Sequence, residues 1–365
     1  MAPYLKTLTL SHFRSHKRAA LSFDGKPVVF FGPNGAGKTN LLEAISLISP
    51  GRGLRRAAPH EFVRLPEALG WRVSTTIDLN GTLYEIETGA DPDTARFVRI
   101  DGKAAPQASL GRIAPVLWLT PAMDRIWLEA PEGRRRFLDR MAMAFFPDHA
   151  EASLAYEKAM RQRNRLLRDQ IHDGAWYLAL EAQMADSGAR ITCNRRATLD
   201  RLEAVAGQGG DFPIAALALQ DDAPDEEKAL ATALAEGRRA DMAAGRSLIG
   251  PHRADLLALW AEKAMPAAQC STGEQKALLI STVLAHARAF AARTGAPPIL
   301  LLDEVAAHLD AARRVGLYDA LCEMGAQAFL TGTDAALFAP LGSCAQHFAV
   351  SASEVGSLIA ESSPA

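Results

Sequence analysis

Residues 32 to 39 read Gly32-Pro33-Asn34-Gly35-Ala36-Gly37-Lys38-Thr39, the G-x-x-x-x-G-K-[ST] pattern of a phosphate-binding loop. An apolar run, Pro27-Val28-Val29-Phe30-Phe31, precedes it. Leu41-Leu42-Glu43-Ala44-Ile45 follows with helical spacing. Strand, loop and helix in that order are the setting the motif needs. Glycines let the backbone curl until successive N–H groups face phosphate oxygens. The helix start adds partial positive charge. In this setting Lys38 is expected to reach the β- and γ-phosphates of ATP, and Thr39 to ligate Mg²⁺.

The 365 residues allow two to three domains and a large core. Hydrophobic residues are 48 % and charged residues 22 %, an ordinary soluble balance. The net charge of −2 means that any affinity for nucleic acid must come from a local patch. Cys193, Cys270, Cys322 and Cys344 are widely spaced with no C-x-x-C. That pattern predicts reduced thiols in a cytoplasmic protein, neither a disulfide framework nor a zinc site. The start, Met1-Ala2-Pro3-Tyr4-Leu5-Lys6, lacks the apolar core of a signal peptide. No run of about 18 apolar residues occurs, so no membrane span is expected.

Residues 1–120 read as strand-rich. Leu5 to Leu10 and Ala19 to Phe23 are short strand candidates. Thr75 to Leu79 and Thr82 to Ile86 flank Asn80-Gly81, and Arg96 to Ile100 runs into Asp101-Gly102; both are hairpin signals. Residues 121–249 read as helical: Gly133 to Ala144, Ala150 to Gln170, Ala175 to Val205 and Glu226 to Ala244, with Asp211 to Pro213 beginning a short strand. The two longest segments are suited to an antiparallel helical hairpin. From 250 to 365 the α/β pattern returns, with a helix over Gln275 to Arg293 and strands at Pro298 to Leu302 and Ala326 to Leu330; Glu361 to Ala365 are expected to fray. The expected fold is α/β: a phosphate-loop core with an antiparallel β-subdomain, split by an inserted α-helical domain.

Ile299-Leu300-Leu301-Leu302-Asp303-Glu304 reads as a buried strand ending in acid, the Walker B pattern. Asp303 is expected to hold Mg²⁺ with Thr39, and Glu304 to polarise the attacking water. Ser271-Thr272-Gly273-Glu274-Gln275 precedes it. A serine hydroxyl and free N–H groups at a helix start suit a γ-phosphate, and Ser271 with Glu274 also forms a capping box. The segment resembles the signature of ABC-type ATPases, and Ala307-His308-Leu309-Asp310 resembles their D-loop. The resemblance implies an ATP-dependent homodimer in which Ser271, Gly273 and Asp310 of one head complete the partner's site. Two departures stand out. Phe329 to Asp334 lacks the superfamily's histidine, leaving Thr331 or Thr333 as a γ-phosphate sensor, and Gln107 is the nearest glutamine for a Q-loop. Slow hydrolysis is the expected result.

Lys38 and Ser271 lie more than two hundred residues apart, a separation unlike that of transporter ATPases. The inserted helical domain and Phe13-Arg14-Ser15-His16 look like those of SMC-like DNA-repair ATPases, where the latter segment contacts nucleotide. Gly51 to Arg56, Pro131 to Asp139 with its triple arginine, Tyr156 through Arg161 to Leu167, and Gly250-Pro251-His252-Arg253-Ala254-Asp255-Leu256 resemble the RecF recombination-mediator family over nearly the whole chain. The resemblance implies binding of single-stranded and gapped double-stranded DNA, cooperation with RecR and RecO, RecA loading, and a part in replication and the SOS response. A structural SMC-like chromosome organiser is the alternative; the short insertion without heptads argues against it. Arg52, Arg55, Arg56, Arg161, Arg163 and Arg165 are the candidate DNA contacts, of the salt-dependent, sequence-independent kind.

Overall fold

The computed structural model describes residues 4–208, 210–354 and 356–364. Met1 to Pro3 and Ala365, which figure in the readings of the two chain ends, lie outside the described residues. In chain order the first unit begins with β1 (Tyr4–Phe13), β2 (His16–Ser22), β3 (Val28–Phe31) and α1 (Lys38–Ser46). It continues with β4 (Trp71–Leu79), β5 (Thr82–Ala90), β6 (Phe97–Ile100), β7 (Lys103–Ala104) and β8 (Val116–Leu119). The second unit holds α2 (Pro131–Phe145), α3 (His149–Arg168), α4 (Gly174–Glu203), β9 (Ala215–Gln220), α5 (Glu227–Glu236), α6 (Arg238–Ala244), β10 (Asp255–Trp260) and β11 (Met265–Pro266). The chain then returns to the first unit with α7 (Thr272–Thr294), β12 (Ile299–Leu302), α8 (Ala311–Glu323), β13 (Ala328–Gly332), β14 (Gln346–Ser353) and β15 (Gly356–Ser362).

The first unit comprises Met1–Asp124, Gly207–Ile214 and Ser271–Ala365. One sheet, ordered β2-β1-β4-β5-β6-β7, is antiparallel; the other is ordered β15-β14-β3-β13-β12-β8. In the second, β14, β3, β13, β12 and β8 run parallel and β15 returns antiparallel on β14. Strands β3, β8 and β12 are apolar at every position, as strands covered on both faces must be; β12 is buried throughout. Leu5, Leu8 and Leu10 of β1 share one core with Phe30 of β3, Leu41 and Ile45 of α1, and Phe329 of β13. The side chain of Gln327 fastens the two sheets: it donates to the Leu5 carbonyl at 2.9 Å and accepts the Leu5 N–H at 2.7 Å. Both expected hairpins form, with positive φ at Asn80, Gly81, Asp101 and Gly102, the primed-turn geometry that matches strand twist.

The second unit comprises Arg125–Ala206 and Ala215–Cys270. Helices α3 and α4 make the expected hairpin, with Ala152, Tyr156 and Ala159 facing Met184, Ala185 and Ile191, and Leu230 and Leu234 of α5 joining them. Arg163 sits at the centre of a buried ionic cluster. Its guanidinium lies 3.1 Å from Glu181 and 2.5 Å from Asp241, and it donates to Ser247 Oγ and the Leu234 carbonyl, both at 2.8 Å. A second arginine, Arg195, holds Asp139 in a two-pronged pair at 2.7 and 3.0 Å, with His149 on the same carboxylate. That setting pulls the Asp139 carboxyl below its ordinary range, burial opposing and Arg195 with His149 prevailing.

Several expectations need correction. Arg163 is fully buried and its donors are spent inside the unit, so it cannot contact DNA. Asp211 to Pro213 are irregular; the strand is β9, two residues later, and its alternating alanines carry little strand propensity. Glu226 to Ala244 is two helices, broken at Gly237. Residues 250–270 were expected in the ATPase half, but β10 pairs with β9 and β11, which ties them to the helical unit, while 207–214 belong to the first. Glu361 and Ser362 pair with Phe348 and His347 and do not fray. Cys322 and Cys344 form a disulfide, while Cys193 and Cys270 keep their thiols. The end of α8 and the segment entering β14 bring these Cα atoms to 6.5 Å, within bridging reach; their spacing along the chain conceals this.

Arg163→Ala should leave Asp241 buried without its cation, while Glu181 keeps Arg238, and cost on the order of 3–5 kcal/mol. Urea unfolding would measure it, and a cost below about 1 kcal/mol would contradict the structural role given to this residue.

Candidate phosphate-binding site

The loop leaves β3 at Phe31 and enters α1 at Lys38. Gly32 has φ 148°, and a Cβ there would collide with the Val350 carbonyl of β14. Gly37 has φ 105°, and a Cβ there would meet Ser357, Ser15 and His16. Two glycines are therefore dictated by close approach as well as by conformation. Pro33, Asn34 and Gly35 form the exposed crest, while Ala36 is buried.

The segment Arg14-Ser15-His16, between β1 and β2, braces the loop from outside. Arg14 has φ 54° and clasps Glu43 of α1 with two hydrogen bonds of 2.9 and 3.0 Å. Ser15 Oγ accepts from Asn40 Nδ2 at 2.8 Å and from Ser357 Oγ at 2.7 Å. His16 Nε2 lies 3.1 Å from the Gly37 carbonyl. Burial pushes the His16 pKa down, which favours the neutral ring. These three residues hold the loop's exit and the helix that follows it.

Lys38 Nζ donates to the carbonyls of Gly32 and Pro33 at 2.7 and 2.9 Å. The ammonium thus spans the loop's own mouth. Its pKa is lowered by burial, with the Glu304 and Asp303 carboxylates opposing the shift. Asp303 follows β12 and is nearly covered. Its Oδ1 accepts from Thr39 Oγ1 and from Thr331 Oγ1, each at 2.8 Å. Thr39 and Asp303 are hard oxygen donors in contact, the set that suits Mg²⁺. Among the described residues no group of three or more His, Cys, Asp and Glu could hold a metal, so the rest of a Mg²⁺ shell would be water and phosphate oxygen.

Glu304 sits in the left-handed region at φ 51°, a conformation that costs a non-glycine residue about 1–3 kcal/mol and clusters at functional sites. Its N–H donates to Thr331 Oγ1 at 2.9 Å. Thr331 is buried on β13, so its hydroxyl is committed to Asp303 and Glu304. It orients the acidic pair and is not the open γ-phosphate sensor expected of it; Thr333 is exposed.

Ser271, Thr272 and Gly273 are exposed at the start of α7. The capping box forms: Ser271 Oγ accepts the Glu274 N–H at 3.4 Å, and Glu274 accepts the Ser271 N–H at 2.8 Å. Asp310 is exposed and caps α8 through the Arg313 N–H at 2.8 Å. Neither segment hydrogen-bonds to the loop of its own chain among the described residues. Of the proposed DNA contacts, Arg52, Arg55 and Arg56 are exposed, and Arg55 donates to Asn40 and Glu43 at 2.9 and 3.1 Å. Arg161 and Arg165 are exposed on α3. Sequence reasoning missed Ser357 and Val350, because nothing local marks β14 and β15 as walls of a loop more than three hundred residues away.

Residues 4–353 match the RecF/RecN/SMC N terminal domain family. A protein of Rhizobium rhizogenes named DNA replication and repair protein RecF is 47 % identical over 95 % of this chain and 96 % of its own. Its namesake in Mesorhizobium japonicum is 46 % identical over 97 % of each chain. A solved structure of the recombination mediator protein RecF-ATP in the RecFOR pathway shares the fold with a TM-score of 0.82 at 24 % identity, over 99 % of this chain and 98 % of that one. An Smc head domain from Pyrococcus furiosus follows at 0.59 and 18 %, over 99 % and 96 %. The fold is thus the ABC-type ATPase head of SMC-like proteins with an inserted helical unit. Sequence identity of that extent, over nearly the whole of both chains, means that the chain belongs to the RecF family of DNA replication and repair proteins.

Proposed function

We propose that this chain is an ATP-dependent DNA-binding recombination mediator, which closes as a homodimer on single-stranded and gapped DNA, hydrolyses ATP slowly to let go, and works in the cytoplasm. The observation that carries the reading is the convergence of Lys38, Thr39, Asp303 and Glu304 on one loop mouth. On ATP binding, Lys38 exchanges its two carbonyl partners for β- and γ-phosphate oxygens. N–H groups of Gly35 to Thr39 take the remaining phosphate charge. Mg²⁺, held by Thr39 and Asp303, would supply charge neutralisation at the β- and γ-phosphates. Glu304 accepts a hydrogen bond from the attacking water and aligns it. Because Thr331 fixes both acids, its hydroxyl is a positioning group for the reaction.

Ser271, Gly273 and Asp310 are exposed and distant in bonding from their own loop, which supports their acting on a partner head. ATP then favours the closed pair because its γ-phosphate is gripped from both subunits, a population shift. DNA lies against Arg52, Arg55, Arg56, Arg161 and Arg165 and is bound without cleavage. The names of the relatives and the RecFOR pathway of the solved homologue support cooperation with RecR and RecO and the loading of RecA, with consequences for replication and the SOS response. Among the described residues no helix is long and apolar enough to cross a membrane.

Fluorescence anisotropy with a labelled gapped duplex tests this. ATP should tighten binding at least about 5-fold over ADP, the usual scale of such coupling, and Lys38→Met should remove the difference. Equal binding with both nucleotides would sink the clamp. For the acidic pair, Thr331→Val should lower kcat roughly 10–100-fold, as loss of an orienting partner does, while ATP affinity stays within a few-fold. An unchanged kcat in steady-state assays would remove Thr331 from the mechanism.

A further inference from the structure

At the turn of the helical hairpin stands Trp176, 63 % exposed, with Ile171 beside it at 41 %. The other four tryptophans are buried or half-buried. Leu178, 67 % exposed, follows on the same turn of α4, and a cluster of exposed apolar side chains, unlike a single one, points to a partner. Its surroundings say which kind. The pairing of Arg163 with Glu181, and the Arg163 guanidinium 5.9 Å from the Tyr177 ring, set the register of α3 against α4. Arg165 and Arg168 stand in the last turn of α3 and Trp176 in the first turn of α4, on either side of the connecting turn. Helix α6 crosses the same end: Gln170 Nε2 donates to the Met242 carbonyl at 3.5 Å, and a Cβ on Gly245 would lie 3.3 Å from Arg168 Cγ. Arg246 therefore emerges next to Arg168.

Arg168 and Arg246 are exposed and make no ion pair among the described residues. Arg165 is only loosely paired, at 3.6 Å, with Asp169. The other acid of the turn, Asp173, has an oxygen committed to the Ala175 N–H at 2.9 Å. The result is an exposed aromatic ring and three arginines gathered at one end of the hairpin.

Resting on the DNA-binding reading above, we infer that this hairpin end is a stacking platform for single-stranded DNA, with Trp176 taking a base and Arg165, Arg168 and Arg246 the adjoining phosphates. Every base offers a π-face, so an aromatic ring beside a cationic track binds single strands without reading sequence. Duplex DNA keeps its bases stacked inside and gains only the phosphate contacts. The platform therefore adds preference for the unpaired side of a gap.

The test uses the full chain with ATP, fluorescein-labelled oligo-dT and a blunt duplex of equal length. Trp176→Ala should weaken oligo-dT binding about 5- to 150-fold, the span of one base–aromatic stack, and leave duplex binding within twofold. Trp176→Phe should restore most of the loss. Arg168→Glu with Arg246→Glu should weaken both DNAs and flatten the salt dependence. Wild-type affinity of Trp176→Ala for oligo-dT, or equal loss on both DNAs, overturns the platform alone. Failure of the wild-type chain to bind either DNA overturns the DNA-binding reading and the platform with it.

Discussion

Asp303 Oδ1 receives two hydroxyl hydrogen bonds at 2.8 Å, from Thr39 and from Thr331, and the geometry of the site depends on that one oxygen. Thr39 opens α1 straight after the loop. Thr331 belongs to β13, the strand lying between β3 and β12. A charged acceptor with two hydroxyl donors is a strong, directional junction. It fixes the loop's exit, the end of the acidic strand and the neighbouring strand in one arrangement. Glu304, next in the chain, is then held in the left-handed region by the same Thr331 hydroxyl. Strain at that residue is sustained because its surroundings over-determine it.

The outer brace works by a different principle. Arg14 and Arg55 both reach Glu43, whose carboxylate is almost wholly covered. Burying that charge is tolerable only because it is paired and hydrogen-bonded. The arrangement connects the β1–β2 turn, the middle of α1 and the basic segment after α1. A residue proposed for DNA contact, Arg55, thereby shares a carboxylate with Arg14, the residue that clasps α1 beside the phosphate loop. In the helical unit, Arg163 and Arg195 serve the interior in the same way. Charge along α3 is consequently of two sorts: Arg163 points inward and is spent, while Arg161, Arg165 and Arg168 remain outside.

The legible parts of the fold were those written in local chemistry. The loop, the apolar run ending at Asp303, the capping box at Ser271 and the Asn80-Gly81 hairpin each follow from residue type at fixed spacing. So did the helical hairpin, whose apolar stripes repeat at helical period. What stayed hidden was long-range. The role of Ser357 against Ser15, the bridge between Cys322 and Cys344, and the pairing of β9 with β10 all depend on chain segments meeting in space. Arg163 shows the same limit from the other side. Among arginines at alternating positions, only the fold decides which one is buried. Thr331 was noticed as a hydroxyl near the acidic strand, yet its two bonds reveal an orienting role.

The account's central claim is that ATP joins two heads through the exposed signature of each. Multi-angle light scattering of the Glu304→Gln variant, with ATP, with ADP and without nucleotide, and again with gapped duplex, tests it most directly. The account predicts a doubled mass only with ATP, made more persistent by DNA. A monomer under every condition would leave the loop's phosphate chemistry intact and contradict the paired-head mechanism.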